Sequence, residues 1–138
     1  MSRLFFDTSA IAKRFIQEAG SDAVMGYWNQ ADEIWISDLC LAELFSVINR
    51  LKREKKLGSS LYSLLKRHIL SDLDTIFRID LSHLVLKEAI TCFETAHVKT
   101  LDAIQIASAI VISADMFFTS DKNQSSVAKK MGLNVTLV

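Results

Sequence analysis

Thr100-Leu101-Asp102-Ala103-Ile104-Gln105-Ile106-Ala107-Ser108-Ala109-Ile110-Val111-Ile112-Ser113 runs straight into Ala114-Asp115-Met116-Phe117-Phe118-Thr119-Ser120-Asp121. The first part predicts a helix over Leu101 to Ser113, capped by Thr100. Its apolar residues Ile104, Ile106, Ala107, Ala109, Ile110 and Ile112 surround the helix instead of forming one stripe. A helix apolar on most sides lies in the centre of a domain. The second part predicts a short buried strand, Asp115 to Thr119, with an acid just beyond it. A buried helix feeding a buried strand is the repeating unit of an α/β fold with a parallel sheet.

The same alternation extends in both directions. Toward the N-terminus, Arg3-Leu4-Phe5-Phe6 predicts a strand closed by Asp7. Thr8 or Ser9 is then placed to cap a helix over Ala10 to Glu18, which Gly20 ends. Ser21 or Asp22 starts a helix to about Asn29, and Glu33-Ile34-Trp35-Ile36 reads as the second strand. Ser37 or Asp38 caps a long helix to Lys56, with Gly58 as its stop. Ser59 and Ser60 open a further helix to about Leu73. Thr75 to Ile79 is the third strand, and Ser82 caps a helix to about Thr95. Beyond Asp121 come a helix from about Lys122 to Met131, a stop at Gly132 and a fifth strand over Asn134 to Leu137. The fold class is therefore α/β, with a five-stranded parallel sheet, helices on both faces and an αα-hairpin insertion between strands two and three.

Composition agrees with one domain spanning 1–138. The chain has 138 residues, half of them apolar, no proline and four glycines, so a substantial core is expected and no linker is visible. Formal net charge is zero, which does not advertise a nucleic-acid binder. The basic residues are nevertheless clustered at Arg50-Leu51-Lys52-Arg53-Glu54-Lys55-Lys56 and Lys66-Arg67-His68. A solvated helix face accounts for these clusters better than a phosphate-tracking surface. Cys40 and Cys92 lack metal or redox spacing and read as buried thiols. No signal peptide is apparent, and the stretch Ile104 to Phe118 is too short and too polar to span a membrane. A cytoplasmic protein without membrane contact is the expectation.

Four acids fall where predicted strands end or helices begin: Asp7, Glu43, Asp102 and Asp121. In an open parallel sheet these ends share one edge, which is where ligands bind. Each acid has a plainer reading. Asp7 and Asp121 can cap helices, and Asp102 suits the positive end of a helix dipole. Glu43 is harder to dismiss, because Leu39-Cys40-Leu41-Ala42-Glu43-Leu44-Phe45 is almost unbroken apolar sequence. An acid there faces a cleft or the interior and needs partners. Four carboxylates at one edge call for a hard divalent cation, Mg²⁺ or Mn²⁺. That combination suits hydrolysis of a phosphodiester. Ser9, Thr119 and Ser120 are placed to hydrogen-bond the carboxylates and orient them.

Phe5-Phe6-Asp7-Thr8-Ser9-Ala10-Ile11 resembles the opening signature of PIN-domain ribonucleases. Ser37-Asp38-Leu39-Cys40-Leu41-Ala42-Glu43-Leu44, Leu101-Asp102-Ala103-Ile104-Gln105-Ile106-Ala107 and Phe118-Thr119-Ser120-Asp121 resemble that family's later acidic motifs, in order and across the whole chain. The small form is most similar to VapC-type toxins of toxin–antitoxin pairs. The resemblance implies a three-layer α/β/α domain and Mg²⁺- or Mn²⁺-dependent endoribonuclease activity, with Asp7, Glu43, Asp102 and Asp121 as the catalytic and metal-binding quartet. It also implies an RNA substrate, a homodimer and inhibition by a cognate VapB-like antitoxin docked on the first four helices. Lys99 departs from the arginine that many members carry three residues before the third acid.

Two other readings compete. A PIN-like module that binds RNA or protein without cleaving is opposed by the presence of all four acids. A receiver-type phosphoacceptor domain would need paired acids after the first strand and a lysine after the fifth. Asp80 does follow the third strand, but Asp7 stands alone, the lysine is missing and the hairpin insertion does not fit.

Overall fold

The computed structural model describes residues 2–138. Along the chain the elements are β1 (Arg3–Phe6), α1 (Thr8–Phe15), α2 (Ser21–Gln30), β2 (Glu33–Ser37), α3 (Leu39–Arg53), α4 (Ser59–Leu73), β3 (Phe77–Ile79), α5 (His83–Thr95), α6 (Thr100–Val111), β4 (Met116–Thr119), α7 (Lys122–Lys130) and β5 (Val135–Leu137). All neighbouring strands pair in parallel, in the order β3-β2-β1-β4-β5. The chain winds outward from β1 to β3, then returns to lay β4 on the other side of β1. The topological switch point of the sheet therefore lies between β1 and β4, where an α/β sheet opens a crevice.

Parallel strands covered on both faces need apolar side chains on both sides, which the Phe5-Phe6 and Phe117-Phe118 pairs supply. Phe5 and Phe117 pack with Val85, Ala89 and Cys92 of α5, Ala103, Ile104, Ile106, Ala107 and Ala109 of α6, and Val127 and Ala128 of α7. Phe6 and Phe118 face the opposite way, onto Ala10 and Ile11 of α1, Val24 of α2, Leu44 and Ile48 of α3, and Ile69 and Leu73 of α4. These phenylalanines also stack across the strands. Phe5 lies over Phe117 with ring centroids 5.7 Å apart, and Phe6 over Phe118 at 4.6 Å. Each stacked pair adds about 0.5–1.5 kcal/mol beyond simple burial. A slip of one residue would turn every ring to the wrong face, so the pairs fix the β1–β4 register. That register sets Asp7, whose amide donates to the Phe118 carbonyl at 3.0 Å, beside the end of β4.

The central helix is α6, as its composition requires. Its residues Ala103 to Ala109 are all buried. The helix pair expected between β2 and β3 is present as α3 and α4. The β1–β2 and β3–β4 crossovers also carry two helices each, and only the last crossover has one. Several boundaries differ from expectation. Helix α1 begins at Thr8, because Asp7 and not Thr8 or Ser9 is its cap: Asp7 Oδ1 accepts the Ala10 amide at 2.9 Å; the helix ends at Phe15, where Ile16 turns extended. Lys99 occupies the cap position of α6 in place of Thr100. Neither Ser21 nor Asp22 caps α2; Gly20, at φ 93°, stands at that position. Strand β3 is only Phe77–Ile79.

The clustered cations between Arg50 and Lys56 are exposed along the end of α3 and the turn after it. Lys66, Arg67 and His68 are exposed as well, which fits the solvated reading. Both cysteines are buried and free, and burial pushes the Cys40 thiol up to about 12. Such a thiol is inert. No helix among the described residues is long and apolar enough to cross a membrane.

Candidate functional site

A cavity of about 330 Å³ opens at the switch point, lined by Asp7, Thr8, Ser9, Ala12, Glu18, Glu43, Val47, Asp102, Gln105, Ser120 and Asp121. All four acids singled out in the sequence therefore border one space. They arrive from four places: the end of β1, the second turn of α3, the first turn of α6 and the loop after β4. Among the described residues, none of the four is ion-paired with a basic side chain.

Asp7 is the most enclosed, at 4% exposure. Its Oδ1 accepts the Ser9 hydroxyl at 2.7 Å as well as the Ala10 amide. Ser9 uses its single proton in that bond. Its oxygen accepts the Ser120 amide at 2.9 Å and lies 3.3 Å from Thr119 Oγ1, so Thr119 is the donor there. Thr119 Oγ1 in turn accepts the Asp121 amide at 3.1 Å. A chain of hydrogen bonds thus connects the Asp121 backbone to the Asp7 carboxylate. Of the three residues expected to orient carboxylates, Ser9 donates to one directly, Thr119 joins this chain through its hydroxyl, and Ser120 joins it through its backbone N–H, which meets Ser9.

Asp121 caps α7, its Oδ1 accepting the Gln124 amide at 2.9 Å. Capping and bordering the cavity are thus compatible uses of one carboxylate. Glu43 Oε1 accepts the Thr8 hydroxyl at 2.7 Å and Gln105 Nε2 at 2.8 Å. Gln124 Nε2 donates to the Asp102 carbonyl at 3.1 Å and so holds the start of α6 against α7.

The electrostatics follow from burial and like charge. Removal from water pushes the Asp7 carboxyl up to about 6; the donors around it oppose the rise and the Asp102 charge adds to it. Burial raises Asp102 too, followed by the charges of Asp121 and Glu43, with Lys99 pulling the other way. The donor set is all oxygen, the kind that hard divalent cations prefer. As the side chains stand, no three His, Cys, Asp or Glu groups among the described residues are gathered closely enough to hold a metal ion. Asp7, Glu43 and Asp121 each have one oxygen held by a neighbouring donor.

Three polar residues of the cavity were not legible as such. Glu18 lies past the end of α1, within 3.4 Å of Lys13. Thr8 reads as a cap but turns to Glu43. Gln105 is a lone amide in an apolar helix; its spacing of three from Asp102 puts both on one face and was the available signal.

The sequence and the fold agree on what this site belongs to. The PIN domain model matches residues 4–130. The chain belongs to the PIN-domain family. It is of the VapC type: over 138 residues it is 30% identical to Ribonuclease VapC46 of Mycobacterium tuberculosis, covering 98% of this chain and 97% of the relative. The PIN fold is also that of FitAcB from Neisseria gonorrhoeae, with a TM-score of 0.77 and 15% identity over 96% of this chain and 95% of that one. A toxin–antitoxin complex from Klebsiella pneumoniae is similar as well, with a TM-score of 0.70 and 18% identity over 96% and 95% of the two chains.

Proposed function

We propose that this PIN domain is a Mg²⁺- or Mn²⁺-dependent endoribonuclease and the toxin of a type II toxin–antitoxin pair. The observation that carries the reading is the convergence of Asp7, Glu43, Asp102 and Asp121 on one cavity at the switch point of the sheet. Full-length similarity to a protein named a ribonuclease supports it. Asp7 and Asp102, with Asp121 and Glu43, would hold the cation, since their raised or crowded carboxylates gain most from a positive charge. When bound, a divalent cation polarises a phosphoryl oxygen and favours the attacking hydroxide form of water. The residues do the rest. Ser9 and Thr119 fix Asp7, Gln105 and Thr8 fix Glu43, and the exposed Lys99 stands beside Asp102 as a cation for the RNA backbone.

Two surfaces suit the partners that go with this function. Phe15 of α1, Leu57, and Leu61, Leu64, Leu65 and His68 of α4 line an apolar groove of about 380 Å³. Its apolar lining suits an amphipathic antitoxin helix. On α5, Leu86, Ile90 and Phe93 are exposed at i, i+4 and i+7 and form one apolar stripe, suited to a second copy of the chain.

The test is cleavage of structured RNAs by purified chain freed of any antitoxin, in EDTA and with Mg²⁺ or Mn²⁺ restored. Cleavage only with metal, and loss by orders of magnitude in Asp102→Asn, is the expected result. Wild-type cleavage by well-purified Asp102→Asn would sink the assignment.

A further inference from the structure

Gln105 is 2% exposed in the middle of α6, the most apolar helix of the chain. Burying an amide there is costly unless its donors are met. Its Nε2 lies 2.8 Å from Glu43 Oε1 and 3.0 Å from Thr8 Oγ1. Thr8 donates to that same Glu43 oxygen at 2.7 Å. Three side chains from α1, α3 and α6 therefore close a ring of hydrogen bonds around one carboxylate oxygen. Gln105 Oε1 is buried without a hydrogen-bond partner among the described residues. Turning the amide over would set a carbonyl against the Glu43 carboxylate, two acceptors 2.8 Å apart. The donors face the acid even though the acceptor is left unmet.

We infer that Gln105 is a positioning residue for Glu43. With Thr8 it holds Oε1 and leaves Oε2 as the oxygen that Glu43 offers to the cavity. A glutamate on the second turn of α3 has three side-chain torsions to fix, and fixing them in advance removes an entropy cost from ligand binding. This rests on the reading of Glu43 as a metal-binding acid.

The experiment is a double-mutant cycle between Gln105→Met and Glu43→Ala in the full chain, read in two ways. Methionine keeps the length and loses the donors. Mn²⁺ affinity by titration calorimetry should fall about tenfold in Gln105→Met, the usual effect of removing a group that orients a metal ligand. Adding Gln105→Met to Glu43→Ala should weaken Mn²⁺ no further. Equal losses in both backgrounds, or no loss in either, would overturn the inference. Urea unfolding in EDTA gives the second reading: Gln105→Met should lower the midpoint less when Glu43 is already alanine. Strict additivity there would also overturn it. A wild-type chain that binds no Mn²⁺ removes the metal reading of the cavity, and the urea cycle then decides the ring by itself. Thr8→Val, which deletes a second member of the ring, repeats both measurements where Gln105→Met does not fold.

Discussion

Ser9 Oγ and Asp7 Oδ1 lie 2.7 Å apart, joined by the only proton that Ser9 has to give. The same oxygen accepts the Ser120 amide. Ser9→Ala therefore removes a donor from a buried acid and strands a backbone N–H. The expected cost is about 1.5–3 kcal/mol in urea unfolding, the range for a hydrogen bond to a charged group. RNA cleavage should fall about tenfold, because Asp7 loses an orienting contact. Ser9→Thr keeps the hydroxyl and should recover much of both.

Asp7 makes the fold sensitive to pH. Its carboxyl sits at about 6 in the folded chain against 3.8 as the ordinary value. A carboxyl that holds its proton more tightly when folded contributes stability that is complete below about pH 4. That contribution drains away as pH rises toward 6 and is gone above it. The loss is on the order of 3 kcal/mol, since one pKa unit is about 1.4 kcal/mol. In EDTA, Asp7→Asn should show a flatter stability curve between pH 4 and pH 6 and should melt higher than wild type at pH 7. The amide still accepts the Ala10 N–H, so the cap survives. Mg²⁺ should stabilise the wild type more than the variant. A lower melting temperature for Asp7→Asn in EDTA at pH 7 would mean that capping by the ionised acid outweighs the penalty of burying it.

Much of this was legible in the sequence because burial is written in runs. Phe5-Phe6 and Phe117-Phe118 mark strands covered on both faces, and the all-round apolar character of Ile104 to Ile112 marks the central helix. Asp7, Asp102 and Asp121 follow from where those elements end. Glu43 stands out because an acid inside an apolar run needs a reason. Local competition was less legible. Thr8, Ser9 and Asp7 are all good caps, and only the position of the last strand residue decides among them. Gln105 was hidden for a different reason. Its partner Glu43 is 62 residues away in sequence, and a neutral amide carries no sign of which neighbour it will meet.

Asp38 separates the site from its surroundings. It is close to Glu43 in sequence, but its side chain makes no capping hydrogen bond; Ser37 Oγ accepts the Leu39 amide instead. Asp38 lies 3.8 Å from Arg78 with both side chains substantially exposed. Exposed pairs of this kind contribute about 0–1 kcal/mol. Asp38→Ser should change stability by less than about 1 kcal/mol and leave RNA cleavage at the wild-type rate. A large loss of cleavage with unchanged folding would move the chemistry toward Asp38 and away from the cavity.

The groove between α1 and α4 should be separable from the acidic cavity. Leu61 and Leu64 are 61% and 56% exposed on α4, so a polar substitution at either costs the isolated chain little. Phe15 forms the opposite wall with its ring edge-on to His68 at 5.2 Å. An amphipathic helix seated there would bury both leucines, and a charge in their place would be desolvated without a partner. Leu61→Asp and Leu64→Asp should therefore melt within about 1 kcal/mol of wild type and cleave RNA normally. Their affinity for the antitoxin should fall at least tenfold, as measured by calorimetry or by co-purification from cells expressing both chains. In cells, either variant should stay harmful when the antitoxin is present, whereas the wild type is silenced. Unchanged antitoxin affinity in both variants would move the docking surface away from α4. The exposed stripe of Leu86, Ile90 and Phe93 on α5 would then be the next surface to mutate.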